Sequence, residues 1–519
     1  MKSLPFILVL LALMVCLPVS GSTLDKVDRS TFPRLRWMGT APPGTYADYL
    51  GRHPINPLDI REVTLPRLPS GPAVVRTEQS LIALVADAGV MEAMGEYVRA
   101  YGDILESMGH DVRIFNFAGG TPRDLRALLR NLGGNLTGAV FIGALPAAWY
   151  EIDDDFGDGE PAQFPCDLFY MDLDGNWLDL DGDGIYDTHE PGGGDQAPEI
   201  FVARIDSSAH EDENRYTRLQ DYFARDFRYW NGEVFLIQNG LTYTEDDWAM
   251  YADMVNSLVP LYDREYESVT APNTNRDDYL ARLADPVYDI IQLSCHSDSF
   301  SHHFTRGERL FYHQVADAPP GALFYNLFAC SAARFTEDNF LGGAYLFNDS
   351  ARALAVTGST KTGSMLDFAP FYAPLGENRT LGEAFLEWFQ SFAPYEFWET
   401  CWHYGMVLLG DPMITLAEAP GTYGAPVDFM GEKTQNRSML IREWVVRLTW
   451  TANPANDEPA AGYRLYHLRD QALALEAEIP AGAAEHLIRR VDRDAVFTLA
   501  LTALAPDGRE SPPVFARVE

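Results

Sequence analysis

From Ser80 onward the chain alternates short apolar runs with stretches of helical periodicity, and this alternation leaves few folds open. SLIALVADAG (80–89) reads as a strand, and MEAMGEYVRAYGDILESMG (91–109) as a helix ending at Gly109. DVRIFNFAG (111–119) is a second strand, Thr121 an N-cap for PRDLRALLRNLGG, and LTGAVFIGAL (136–145) a third strand. EIFVARI (199–205), a helix reaching Trp230, a strand EVFLIQNG (233–240) and a helix over 246–259 continue the pattern. DIIQLSC (289–295), ALFYNLFAC (322–330) and ALAVTGS (353–359) are near-continuous apolar runs, which suits parallel strands buried on both faces. Repeated βα units predict an α/β fold, a mostly parallel sheet with flanking helices.

Near residue 420 the texture changes. WVVRLTW, GYRLYHL and AVFTLALTAL alternate apolar and polar residues between turn-rich pieces, predicting an immunoglobulin- or fibronectin-like all-β sandwich over 421–519. At the other end, Lys2, the apolar run Pro5 to Pro18 and a cleavage site at Val19-Ser20-Gly21 predict an export signal over 1–21. Residues 22–79, with many Pro and Arg and little periodicity, read as a leader or pro-segment. No other uninterrupted apolar run reaches about 18 residues, so no membrane span is expected in the mature chain, which should be secreted, periplasmic or on the cell surface. Export permits pairing among Cys166, Cys295, Cys330 and Cys401.

The 519 residues include 75 Asp+Glu and 39 Lys+Arg, a formal net charge of −36. That excludes nucleic acid as a partner, because phosphate contact needs clustered cations. The acidity is concentrated: Glu151 to Glu190 holds 14 Asp/Glu and no Lys or Arg. Asp179, Asp181, Asp183, Gly184, Asp187 and Glu190 fall at positions 1, 3, 5, 6, 9 and 12 of the calcium-loop pattern, with the Ile185 carbonyl at position 7. A hard divalent cation takes several oxygens, and without one so many carboxylates repel each other. Structural calcium is therefore the expected cofactor; a solvated acidic loop is the plain alternative. Asp172, Asp174 and Asn176 form a weaker second set, since Trp177 stands where Gly is expected.

Functional groups in open α/β sheets collect at the carboxyl ends of strands. Two such ends carry Cys295-His296-Ser297-Asp298 and Ala329-Cys330-Ser331. If these strands are neighbours, the Cys330 thiol and the His296 imidazole emerge on one edge, a nucleophile beside its acid/base partner. A buried structural thiol is the bland reading of Cys330. His296, Asp298, His302 and His303 lie within eight residues but lack the spacing of a metal-hydrolase site. Lys361 and Thr362, after the strand ending at Ser359, are candidate substrate contacts; Trp402 and His403 suit packing better than cleft lining.

Several motifs occur in a telling order from about Ser80 to Leu416: DLDG…DLDGDG, PEIFVARI, the strand ending at His296, FACS with Cys330, AVTGSTKTGS (355–364), TLGEAFLEW (380–388) and YGMVLLGDPMITL (404–416). This region resembles the gingipain-type cysteine peptidases, which share the caspase-like fold. The resemblance implies an N-terminal subdomain over 80–205 that includes the Asp-rich loop, a catalytic subdomain over 206–420 and protein or peptide substrates. It makes Cys330 the nucleophile, His296 the acid/base and the backbone N–H groups of Cys330 and Ser297 the oxyanion hole. The sandwich matches an accessory domain often attached to such peptidases, with a surface polymer or a protein as its expected ligand. Ser297 departs from the Gly that usually follows this His. Some members add an acidic third residue at the end of an earlier strand; Asn239 stands near that place as a candidate orienting group. Gingipains act after basic residues, and Asp246 and Asp247 are candidates for a pocket that attracts them. A degenerate, non-catalytic binding protein is the rival reading.

Overall fold

The computed structural model describes residues 29–30, 32–63, 80–209, 215–417 (apart from 232, 235 and 263–265) and 424–518 (apart from 438–441, 455, 457, 470–471, 494, 507–509 and 512). The expected export signal and residues 64–79 of the leader lie outside the described residues. The chain divides into Met1–Phe32 and Pro33–Glu519. Of the first unit only Arg29, Ser30 and Phe32 are described; the second carries every element below.

Its centre is a sheet of eleven strands: β1 (Asp59–Val63), β2 (Leu81–Asp87), β3 (Asp111–Ala118), β4 (Leu136–Ile142), β5 (Phe201–Ile205), β6 (Gly240–Thr244), β7 (Glu267–Thr270), β8 (Ile290–Ser294), β9 (Phe324–Phe328), β10 (Ala355–Ser359) and β11 (Met406–Gly410). They lie in the order β1-β3-β2-β4-β5-β11-β10-β9-β8-β6-β7. Neighbours run parallel except β1 with β3 and β10 with β11. The antiparallel contact of β10 with β11 divides the sheet into two halves. The chain completes the second half at β10, then returns to lay β11 parallel to β5. β5, β6, β8, β9, β10 and β11 are buried along their whole length, so helices cover both faces, as the unbroken apolar runs require. Thr121 closes a capping box with Asp124 and starts the helix Pro122–Leu132, and Thr380 does the same with Glu383 for Leu381–Gln390.

Two elements depart from the sequence reading. The run around Leu236 and Ile237 is not a strand: Gln238 takes a φ of +55° and donates its N–H to the buried Asp289 carboxylate at 2.5 Å. The strand starts two residues later, at Gly240. The helix expected over 246–259 shrinks to one turn, Ala252–Val255.

After residue 424 two antiparallel sheets pack together. One joins Val427–Arg437, Arg442–Thr451 and Glu485–Val491; the other joins Ala472–Pro480, Gly462–Arg469, Phe497–Leu504 and Val514–Val518. Val446, Leu448 and Trp450 alternate inward against Tyr463, Leu465, Leu499 and Leu501. Among the described residues no helix is long and apolar enough to cross a membrane.

Candidate active site

β8 and β9 are adjacent and parallel, with Ser294 opposite Phe328. Cys295-His296 and Ala329-Cys330 therefore leave one sheet edge side by side. Beyond the edge, His296–Ser297 becomes a short strand paired with Ser301–Phe304. The Ser297 hydroxyl donates to the Cys330 carbonyl oxygen at 2.5 Å. Ser297 lies outside the left-handed region, so the usual Gly is not required for its conformation. The left-handed residue is Ser331, at φ +51°, which turns the chain after Cys330 and donates its N–H to the Lys361 carbonyl at 3.0 Å.

His296 is held at both ring nitrogens. Nε2 lies 2.7 Å from Asp247 Oδ2, and Nδ1 accepts the backbone N–H of Arg36 at 2.9 Å. An Nδ1 that accepts carries no proton, so the ring's proton sits on Nε2 and is donated to Asp247. Trp248 packs 4.7 Å from the ring, centroid to centroid. Burial holds His296 below the ordinary imidazole range, with Asp247 acting in the opposite direction. Cys330 is fully buried. Burial pushes its thiol up to about 12, against the pull of Thr362 and Lys361; its Sγ faces Thr362 Oγ1 at 3.9 Å.

A cavity of about 1080 Å³ lies beside these groups, lined by their neighbours Asp247, Ser331 and Thr362 and by Arg34, Trp37, Phe156 and Asp158 among others. Its wall at Asp155–Gly157 is fixed from below. Lys361 Nζ reaches Asp155 Oδ1 at 2.9 Å and Oδ2 at 2.8 Å and the Cys401 carbonyl at 2.8 Å. It also sits 4.7 Å from the Phe156 ring centroid. Lys361, a candidate substrate contact in the sequence, is instead a buried brace, 3% exposed.

The remaining candidates separate. Asn239 immediately precedes β6, at the end opposite the edge that carries His296 and Cys330, and donates to the Val287 carbonyl at 3.0 Å; it does not orient His296. Asp247, assigned from sequence to a specificity pocket, is the residue that meets the imidazole, while Asp246 is exposed. Cys166, Cys295, Cys330 and Cys401 are all free and buried, so no pair among them forms a disulfide. The His cluster does not converge: His302 is engaged by Cys295 Sγ at 3.5 Å and Tyr345 Oη at 3.0 Å, while His303 lies 3.6 Å from Asp298. Trp402 packs on Phe156 and Phe328, and His403 on Trp388 and Phe392.

In the acidic loop, carboxylate oxygens of Asp179, Asp181 and Asp187 lie within 4.8 Å of one another, as do those of Glu151, Asp181 and Asp183. Asp179 accepts the N–H groups of Gly182 and Gly184, Asp183 that of Ile185, and Asp187 that of Leu180. This curls the loop round its carboxylates, a donor set of hard oxygens that fits calcium. Glu190 stands in the strand Thr188–Glu190, opposite Asn176. In the second set, Asp172 is buried and engaged by His189 Nε2 at 2.5 Å, the Gly175 N–H at 2.6 Å and Trp177 Nε1 at 3.3 Å. Asp174 clusters with Asp172 and Glu199, and Asn176 is exposed.

Residues 97–417 match the family model of peptidase family C25. The chain belongs to this family of cysteine peptidases. No curated protein matches it. Among solved structures, the FN3tt mut protein is 23% identical over 18% of this chain and 89% of its own, with a TM-score of 0.15. An Fn3-like protein from Clostridium thermocellum is 15% identical over 19% and 94%, with a TM-score of 0.15. The spore cortex lytic enzyme SleM of Clostridium perfringens is 11% identical over 62% and 80%, again with a TM-score of 0.15. At these scores none of the three bears on the C25 assignment, which rests on the family match.

Proposed function

We propose that this C25 peptidase is an exported endopeptidase that hydrolyses peptide bonds through Cys330 and His296. The observation that carries the reading is the pairing of β8 with β9, which brings the two residues to one edge and locks their chain segments through Ser297 and the Cys330 carbonyl. Cys330 transfers its proton to His296 Nδ1 and attacks the carbonyl carbon. The backbone N–H groups of Cys330 and Ser297 receive the oxyanion. His296 then protonates the leaving amine, and water hydrolyses the thioester. Asp247 holds the imidazole with Nδ1 toward the cleft and stabilises the imidazolium while it carries the proton. With residues 33–45 displaced, Asp155, Asp158, Glu160 and Asp247 face Arg334 and Lys361 in the cavity wall, an acidic excess that favours substrates with basic residues.

Loop 179–190 is proposed to hold structural calcium through Asp179, Asp181, Asp183, Asp187 and the Ile185 carbonyl. The sandwich is proposed to attach the enzyme to a surface polymer or protein. The test is hydrolysis of a broad peptide library by cation-replete protein bearing Arg or Lys as one variable. Cys330→Ala abolishes cleavage with the fold unchanged; cleavage that survives it, or an intact protein that cleaves no member after proteolytic trimming of its N-terminal segment, refutes the reading.

A further inference from the structure

Two costs fall on Ser331, the residue after Cys330. Its backbone is left-handed, with φ at +51°, a conformation in which a Cβ is crowded and glycine sits freely. Its hydroxyl is buried as well: the residue is 1% exposed, and Oγ meets no hydrogen-bond partner. A buried hydroxyl left unpaired gives up its hydration with nothing in return. Glycine at this position would avoid both costs, and alanine the second.

The turn is held in this conformation from outside. The peptide that joins Cys330 to Ser331 is clamped at both ends: its carbonyl accepts the Ser297 hydroxyl at 2.5 Å, and its N–H donates to the Lys361 carbonyl at 3.0 Å. The Ser331 carbonyl accepts the Arg334 N–H at 3.1 Å, and the Ala333 N–H reaches the Ser359 carbonyl at 3.0 Å. A strained residue persists where its surroundings over-determine it, and such residues gather at functional sites. Ser331 also lines the cavity beside Cys330. Among the described residues of that lining, its Oγ is the one buried side-chain polar atom without a partner. The other polar groups of the wall near it are engaged: Lys361 with Asp155, Arg334 with Glu337, Asp247 with His296, and Thr362 Oγ1 facing Cys330 Sγ.

We propose that Ser331 is a specificity-determining residue whose hydroxyl accepts an N–H from the side chain of the substrate residue held in the cavity. The acidic excess of the wall selects a cation there, and a guanidinium or an ammonium brings N–H donors that a hydroxyl lone pair accepts. The hydrogen bond adds what charge at a distance does not: it fixes the depth of that side chain, and with it the placing of the neighbouring carbonyl against the Cys330 sulfur. The inference rests on the reading of Cys330 as nucleophile and of the cavity as the seat of a basic side chain.

The experiment measures kcat/KM of the full chain on three peptides that share the best-cleaved library sequence and carry Arg, Lys or norleucine at the position preceding the cleaved bond. Ser331→Ala and Ser331→Gly both remove the hydroxyl. Ser331→Gly does so with a residue at ease in the left-handed region, so it decides the matter if the alanine variant disturbs the turn. In each, kcat/KM on the Arg or Lys peptide is expected to fall about tenfold relative to the norleucine peptide, the size of one hydrogen bond to a charged group. A fall confined to Arg assigns the contact to a guanidinium, and one confined to Lys assigns it to an ammonium. If Ser331→Gly keeps both ratios to norleucine, even with lower absolute rates, the proposal is overturned and Ser331 serves the turn alone. An unaltered chain that cleaves the norleucine peptide as fast as the other two refutes the reading of the cavity, one that cleaves none of the three refutes the reading of the site, and the proposal falls with either.

Discussion

Replacing Lys361 with methionine keeps the length of the side chain and removes its charge. The ammonium is 3% exposed and lies 2.8 Å from Asp155. At an effective dielectric constant of about 20, two unit charges at that separation attract by about 6 kcal/mol. Desolvation of both groups offsets part of this, and burial is the largest influence on Asp155, raising it despite the lysine beside it. Removing one partner leaves the other buried and unpaired, at a cost of about 3–5 kcal/mol. Unfolding entropy of about 2.1 cal/mol/K per residue, taken over the α/β unit, converts that loss to a fall of about 4–6 °C in its Tm. Differential scanning calorimetry of K361M should show this fall in the α/β transition and not in that of the sandwich. The double variant K361M/D155N should recover most of it, because the carboxylate that lost its partner is gone. A Tm within about 1 °C of the unaltered chain, or a double variant less stable than K361M, would refute the argument that the pair braces the cleft wall.

Asp247→Asn removes the charged acceptor of the His296 Nε2 proton. With Asp247 half exposed, kcat/KM should fall by about tenfold, and the limb of the pH–rate profile carried by His296 should move to lower pH, because the group that raises its affinity for protons is lost. Calcium removal by a chelator should lower the Tm of the α/β unit by about 3 °C, the loss expected when a site held at about 100 times its Kd is emptied, and added Ca²⁺ but not Na⁺ should restore it. Asp226 and Asp411 are buried together, and burial holds both above the ordinary carboxylate range. The folded state therefore binds protons that the unfolded chain has released. Stability is full below the ordinary carboxylate value of about 4 and falls as pH climbs through the folded values; urea unfolding across pH should show this slope, flattened in Asp226→Asn.

The strands that build the candidate edge are legible because burial on both faces forces an unbroken apolar run, and each run ends in a reactive side chain: Cys295-His296 after β8, Cys330 after β9. β6 was misread for the same reason inverted. Leu236 and Ile237 are apolar and Leu236 is buried, yet a left-handed Gln238 and the carboxylate of Asp289 break the ladder there. The real strand, GLTYT, is less apolar and fully buried. Moving its end from Asn239 to Thr244 changes which residues stand at the edge beside His296, and Asp247 replaces Asn239 as the partner of His296. The contact of Arg36 with His296 spans 260 positions and has no local signal at all.

The acidic loop shows what composition hides. Fourteen carboxylates between residues 151 and 190 without one Lys or Arg read as a store of negative charge waiting for metal. In the fold, four of them meet cations from elsewhere in the chain, and one of the four also meets a histidine of the loop itself. Asp155 meets Lys361, Asp158 meets Arg34, Asp167 holds Arg204 through both oxygens at 2.7 Å, and Asp172 meets His189 with Arg126 at 4.0 Å. Arg204 in turn stacks 4.3 Å from the ring of Phe335, in the loop that follows Cys330. The chain's scarce cations thus tie one stretch of this loop to the turn after Cys330, while Asp179 to Asp187 keep their carboxylates turned on their own backbone. Charge counts cannot separate these two uses. The separation predicts that metal removal loosens residues 179–190 first and reaches the edge at Cys330 later, so hydrogen exchange after chelation should rise in that order, and a simultaneous rise at Cys330 and Asp183 would show the two parts to be one unit.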